Sequence, residues 1–311
     1  MSSKKVLIIG PDFFGYNDSI AQAFLSLEYQ AEVLNITDKK TLKSFFIKSN
    51  EVNNYLKTCK QNFELILIIK GTFLNRELLN LLKLKTSKLF LWLMDDFKRF
   101  ECELLPILSV FDHVFTFQSK DLPAISRHND ACSYLPLCAT PVGNKALKTV
   151  DISFVGSLYG GRAFNLNLFF SKIKKGNHIV YGGFDLFRIF KMLDCYFKYK
   201  FLRKYLKYGV LKYEKYIKLL LNSKVVINIH SDLQTGLNMR AFECYHSSTP
   251  QVIIGKNLDK IDFGPTSIYV ESIDEAIKAA DYLLDNQHLF INKLKEEHTF
   301  NCRVSSMIEI L

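Results

Sequence analysis

The chain has 311 residues, 48% of them hydrophobic and 23% charged, which fits one large or two ordinary globular domains and excludes a disordered chain. Its 41 Lys and Arg against 31 Asp and Glu leave a net charge of +10, a surplus that attracts nucleic acid, an anionic membrane face or phosphorylated substrates. Seven scattered cysteines with no CxxC pair argue against a disulfide framework and a zinc site, and for a reducing cytosol.

The first 130 residues alternate strand and helix. The run KVLIIG (5–10) reads as a parallel strand buried on both faces; its apolar part, Val6 to Ile9, is too short for the core of a signal peptide, so no leader is expected. The loop PDFFGYND follows, with Asp18 as N-cap of a helix over SIAQAFLSLEY. AEVLNI (31–36) is the second strand, a polar helical region covers roughly 38–59, and FELILIIKG (63–71) is the third strand. NRELLNLLKLK is helical, and KLFLWLMDD (88–96), FDHVFTF (111–117) and CSYLPLC (132–138) are further strands. Strands separated by helices imply right-handed βαβ crossovers and a doubly wound sheet. No apolar run approaches the ~20 residues of a membrane span.

ATPVGNKALKTV (139–150) is polar, carries Pro and Gly, and reads as a linker. A second alternation begins with the strand DISFVGS (151–157), a helix near 162–175 and the strand HIVYGG (178–183). A helix near 213–222 precedes the strands KVVINIH (224–230), PQVIIG (250–255) and SIYV (267–270). SIDEAIKAADYLLDN (272–286) opens with a Ser cap and an acidic first turn, the signature of a helix start. The fold class is therefore α/β, with two Rossmann-like halves: 1–145, then 151–295, with 296–311 as a terminal helix.

Ligands of open α/β sheets bind off the carboxyl ends of strands, so candidate residues are sought there. In FVGSLYGGR (154–162) the backbone at Gly156 and Ser157 can approach an anion, a helix N-terminus adds positive potential, and Arg162 can add a charge-assisted bond. The alternative reading is a tight strand–helix turn. In NIHSDLQTGLNMRAFE (228–243), His230 ends a strand, Thr235 and Gly236 form a loop with Asn238 just beyond, and Arg240 and Glu243 share a helical face. Those two are either a surface ion pair or a nucleotide grip, with the carboxylate on vicinal ribose hydroxyls and the guanidinium on phosphate.

HSDLQTGLNMRAFECYHSSTPQVI resembles the donor site of GT-B glycosyltransferases, especially the CgeB-like spore-protein group, whose members carry a G-x-N-x-R-x-x-E stretch followed by G-x-P-Q. KVLIIGPDFFGYNDSIAQAF, LWLMDD, DISFVGSLYGGR and NCRVSSMIEIL are similar to further segments of that group, so the resemblance covers nearly the whole chain. It implies two Rossmann-like domains facing each other across a cleft, with the closing helix crossing back to the first. It also implies transfer of a sugar from a nucleotide diphosphate, UDP- or GDP-linked, to a hydroxyl of a lipopolysaccharide- or capsule-type glycan or a glycoprotein. Glu243 matches the second glutamate of the Glu-x7-Glu signature of retaining enzymes, which holds the donor ribose; the first would fall at Thr235, where the chain departs from it. Arg240, Arg162 and the amides near Gly156 and Gly236 become the diphosphate cradle, which requires no metal ion and no further cofactor.

On the first half, GPDFFGY and the Asp pair of LWLMDD border the implied acceptor side. Asp12, Asp95 and Asp96 are general-base candidates should the reaction invert, with helix caps and turns as their other reading. MDD (94–96) ends the strand, where adjacent side chains point opposite ways, so at most one of the two aspartates faces the site. Phe14 and Tyr16 are candidates to touch an acceptor sugar or to pack. FRIFKMLDCYFKYKFLRKYLKYGVLKYEKYIK (187–218) interleaves basic and aromatic residues, as a solvated amphipathic helix, a dock for an anionic inner-leaflet surface or a single-strand nucleic-acid binder would. Two rival functions stay open: another sugar-nucleotide enzyme such as an epimerase, and a non-catalytic nucleotide or nucleic-acid binder on the same fold.

Overall fold

The computed structural model describes residues 4–11, 13–36, 44–142, 147–158, 161–183, 189–287 and 296–311, the side chains of 44–48, 189 and 191 excepted. Asp12 lies outside the described residues. The chain divides into two compact units, Met1–Cys138 together with Glu297–Leu311, and Ala139–Glu296.

The first unit begins β1 (Lys5–Pro11), α1 (Tyr16–Ser26), β2 (Gln30–Ile36), α2 (Ser44–Thr58), β3 (Phe63–Ile69), α3 (Arg76–Lys83) and β4 (Thr86–Leu93). After 3-10 turns come α4 (Glu101–Leu104), β5 (His113–Thr116), α5 (Leu122–Ile125) and β6 (Cys132–Tyr134). Its six strands are all parallel in the order β2-β1-β3-β4-β5-β6. Ile66 to Ile69 are fully buried, because helices cover both faces and leave the middle of β3 no contact with water. Asn75 caps α3 by accepting from the Leu78 amide at 2.8 Å, and the helix turns Leu78, Leu79 and Leu82 into the core.

The second unit follows with β7 (Val150–Val155), α6 (Arg162–Lys172), β8 (His178–Tyr181), α7 (Ile189–Lys198), β9 (Leu206–Lys207), α8 (Tyr213–Asn222) and β10 (Ser223–Ile229). Then come α9 (Met239–His246), β11 (Gln251–Ile254), β12 (Ser267–Val270) and α10 (Ile273–Asp285). Its sheet is again wholly parallel, in the order β12-β11-β10-β7-β8-β9. The start of α10 is a full capping box between Ser272 and Glu275. The last helix, α11 (Phe300–Ile308), belongs to the first unit, where it packs on α1. Arg303 fixes it by donating to the carbonyls of Pro136 at 2.7 Å and Leu137 at 3.1 Å.

Three local expectations are corrected. Asp18 is not the cap of α1: Gly15, in the left-handed region at φ 71°, ends the loop, and Asp18 sits in the first turn. The strand β4 stops at Leu93, so Asp95 and Asp96 lie in the turn beyond it and the strand-alternation argument does not govern them. The basic aromatic stretch is not one helix. It is broken into α7, a 3-10 turn at Leu202–Lys204, the short edge strand β9 and α8.

Candidate functional site

Where the strand order of an open parallel sheet reverses, the loops leaving two neighbouring strands diverge and open a crevice at their carboxyl ends. In the second unit that point lies between β7 and β10, the two strands from which the chain was expected to hold a nucleotide. Helix α6 begins after β7 at a left-handed Gly161, and α9 begins after β10 at Asn238, whose side chain accepts from the Ala241 amide at 3.3 Å. Two helix N-termini therefore open near one crevice. Arg162, the first residue of α6, is buried and donates Nη1 to the Ser157 carbonyl at 3.4 Å.

Arg240 reaches across the reversal from α9 to β7. Its guanidinium lies over the Phe154 ring, 5.5 Å from the centroid, and Nη1 donates to Asn228 Oδ1 at 3.0 Å. Asn228 is neutral, so the bond orients the guanidinium without cancelling its charge. A Cβ placed on Gly156 would stand 2.7 Å from Arg240 Nη2, so the glycine leaves the space the guanidinium occupies. The Gly156 amide itself donates to the Tyr181 carbonyl at 3.0 Å, so Gly156 contributes room and not, as the sequence suggested, a free amide. Asn228 also exchanges hydrogen bonds with Asn238, at 2.9 and 3.2 Å, which ties the end of β10 to the start of α9. The sequence signal for Asn228 is a lone amide inside the apolar strand VVINI.

His230 sits between these groups, 4% exposed, and its Nε2 accepts from the Asn238 amide at 3.2 Å. An accepting Nε2 is unprotonated, so the ring is neutral with its proton on Nδ1. Burial first, then the charges of Arg240 and Arg162, push its pKa down to about 3. Both guanidinium groups therefore lie near one imidazole at the crevice.

Glu243 is 2% exposed, so it is not half of a surface ion pair. It points to the inner side of α9, where the buried hydroxyl of Tyr216, on α8, donates to its Oε2 at 2.5 Å. Burial and the nearby carboxylate drive the Tyr216 pKa well above that of a free phenol, which keeps the hydroxyl a donor. Nothing in the sequence linked Tyr216 to Glu243. Gln234 closes its own loop by donating to the Gly236 carbonyl at 2.8 Å, and Thr235, where the glutamate of the resembled signature is missing, donates to Asp259 Oδ2 at 3.2 Å.

In the first unit the order reverses between β1 and β3, and two non-glycine residues there hold left-handed backbone: Phe14 at φ 55° and Lys70 at φ 69°. Such strain concentrates at functional loops. Lys70 Nζ lies 4.3 Å from the Phe13 centroid and pairs with Asp95 Oδ2 at 2.8 Å. Asp96 accepts from Gln118 Nε2 at 3.2 Å, and the same amide donates to Asp121 at 3.0 Å. Asp121, which no motif marks in the sequence, is buried, and burial lifts its carboxyl to about 6. Phe14 is half-exposed, whereas Tyr16 is buried against Phe13 and Phe300. Among the described residues no three His, Cys, Asp or Glu side chains gather as a metal site would need, and no helix is long and apolar enough to cross a membrane.

The chain shares its architecture, two parallel six-stranded α/β units, with GT-B glycosyltransferases of known structure. A glycosyltransferase from Rickettsia africae ESF-5 superposes with a TM-score of 0.60 at 13% identity, over 100% of this chain and 98% of that one. Anabaena HepE in complex with UDP and glucose matches with a TM-score of 0.60 at 10% identity, covering 99% and 100%. UDP-N-acetylglucosamine 2-epimerase from Rickettsia bellii matches with a TM-score of 0.59 at 12% identity, covering 99% and 96%. No family model and no curated protein matches the sequence.

Proposed function

We propose that the second unit binds a nucleotide diphosphate sugar in the crevice between β7 and β10, and that the chain is a glycosyltransferase. The observation that carries this reading is Arg240. It crosses the strand reversal into the space left by Gly156, is oriented by a neutral amide, and acts with Arg162 at two helix N-termini. Those groups supply what a departing nucleoside diphosphate needs, compensation of developing charge without reorganisation. Ser157 and Gly236 line the loops beside them, Asn238 and His230 hold the geometry, and Glu243, buried and braced by Tyr216, is the carboxylate that the resemblance assigns to the ribose hydroxyls.

In the same proposal the donor is UDP- or GDP-linked, and the acceptor is a hydroxyl on a surface glycan or glycoprotein. Retention is the stereochemistry that the CgeB-like resemblance favours, with Asp95 and Asp96 as the bases of an inverting alternative. Phe14, strained and half-exposed, is the acceptor-side contact; Tyr16 is a packing residue. The deciding experiment is a thermal-shift panel of UDP, GDP, CMP and ADP, where one diphosphate is expected to raise Tm saturably in the wild type and not in Arg240→Ala. No response to any of the four would overturn the reading.

An epimerase is the second reading, kept because an epimerase shares this architecture at a similar TM-score. Incubation with a UDP-sugar and no acceptor separates the two: an epimerase converts the sugar nucleotide alone, and a transferase does not.

A further inference from the structure

We infer that the outer face of α7, with the basic turn that follows it, is a docking surface for an anionic lipid bilayer. The inference does not rest on the sugar-nucleotide reading, since it uses none of the residues assigned to that site.

Helix α7 is apolar on two sides. At about 100° per residue, Met192, Cys195 and Tyr199 fall within an arc of about 60°, and they pack into the core of the unit. Phe190, Leu193 and Phe197 fall within a second arc of about 60° on the other side of the helix axis. Phe190 is 81% and Phe197 74% exposed, and Leu193 is exposed as well. A surface helix whose only partner is its own core would carry polar residues on that second arc. Six of the fourteen exposed large hydrophobic residues described in the whole chain lie between Phe190 and Val210, so the patch is concentrated and not scattered.

The charge around it is equally concentrated. From 190 to 218 the sequence carries nine Lys and Arg against two acidic residues, Asp194 and Glu214, which is seven of the chain's ten surplus positive charges. Lys198, Lys200, Arg203, Lys204 and Lys207 are all exposed. Lys200 and Lys204 lie over the Phe201 ring, and Arg203 over Tyr196, so the cations stand beside the aromatic groups. Aromatic side chains that enter the acyl boundary, ringed by cations that meet headgroup phosphates, are what an interfacial helix requires. A protein partner would need a complementary acidic groove, whereas a bilayer of anionic lipid supplies both layers of the match at once.

The test uses the full chain in a flotation assay with phosphatidylcholine vesicles, with and without phosphatidylglycerol. The wild type is expected to float only with the anionic vesicles and to be released as salt rises. Phe190→Ser with Phe197→Ser, and separately Lys200→Glu with Lys204→Glu and Lys207→Glu, are each expected to lower binding about tenfold or more. The response of Tm to nucleotide should not change in either variant, so this inference and the catalytic reading fail separately. Absent flotation of the wild type, equal binding to neutral vesicles, or unchanged binding in both variants would overturn it. So would retention of a single-stranded oligonucleotide, lost with the phenylalanines, in place of vesicle binding. Should a variant melt early, the lipid and salt dependence of the wild type still decides.

Discussion

Acidification should destabilise the second unit through His230, by an amount the structure sets. The ring is neutral when folded, with a pKa lowered to about 3, against about 6.5 in an unfolded chain. Below pH 6.5 the unfolded state binds a proton that the folded state refuses, so stability falls as pH falls, until the folded ring also titrates near 3. Each pH unit costs about 1.4 kcal/mol, so at about pH 5 the loss is about 2 kcal/mol. For a unit of this size that lowers Tm by about 4–8 °C. Protonation also removes the lone pair that accepts from the Asn238 amide, so the start of α9 loosens with it. The assay is calorimetric melting of the wild type and His230→Gln at about pH 7.5 and about pH 5, because Gln keeps an acceptor but does not titrate. The stability difference between the two proteins should change by about 2 kcal/mol across that range. If it changes by less than about 0.5 kcal/mol, the buried neutral imidazole is refuted, and with it the evidence that Arg162 and Arg240 converge on it.

Four further outcomes are expected. Gly156→Ala should weaken nucleotide binding in calorimetric titration while shifting Tm little, because the added Cβ meets chiefly the guanidinium of Arg240, at 2.7 Å, with the Phe154 ring at 3.3 Å, and pushes Arg240 off Asn228. Tyr216→Phe should cost about 2 kcal/mol in urea denaturation, the worth of a hydrogen bond to a buried carboxylate, and its effect should not add to that of Glu243→Gln. Asp121→Asn should stabilise the first unit at about pH 8 and not at about pH 4, because the raised pKa makes the ionised carboxylate the unfavourable form; melts at the two pH values decide it. Arg303→Met should cost about 2–3 kcal/mol and expose the terminal helix to limited proteolysis, since two backbone carbonyls lose a buried charged donor.

Much of the fold was legible because it is written in local pattern. The apolar-rich runs of β1, β3 and β10 announce strands covered on both faces, and Ser272 with Glu275 announces the start of α10. The site was half legible. Gly156, Arg162, His230 and Arg240 stand next to strand ends and could be named, but the burial of Glu243 and the bond of Thr235 to Asp259 could not.

By itself the sequence determined which segments are strands, which are helices, and which residues follow each strand, since hydrophobic period and capping act over a few neighbours. Only the tertiary structure decided that β7 lies beside β10, so that Arg240 enters the space at Gly156, 84 residues earlier in the chain. The same holds for Tyr216 on Glu243 and Lys70 on Asp95. Strand order is set by how whole crossovers pack over a sheet, and that choice leaves no mark on the residues it brings together.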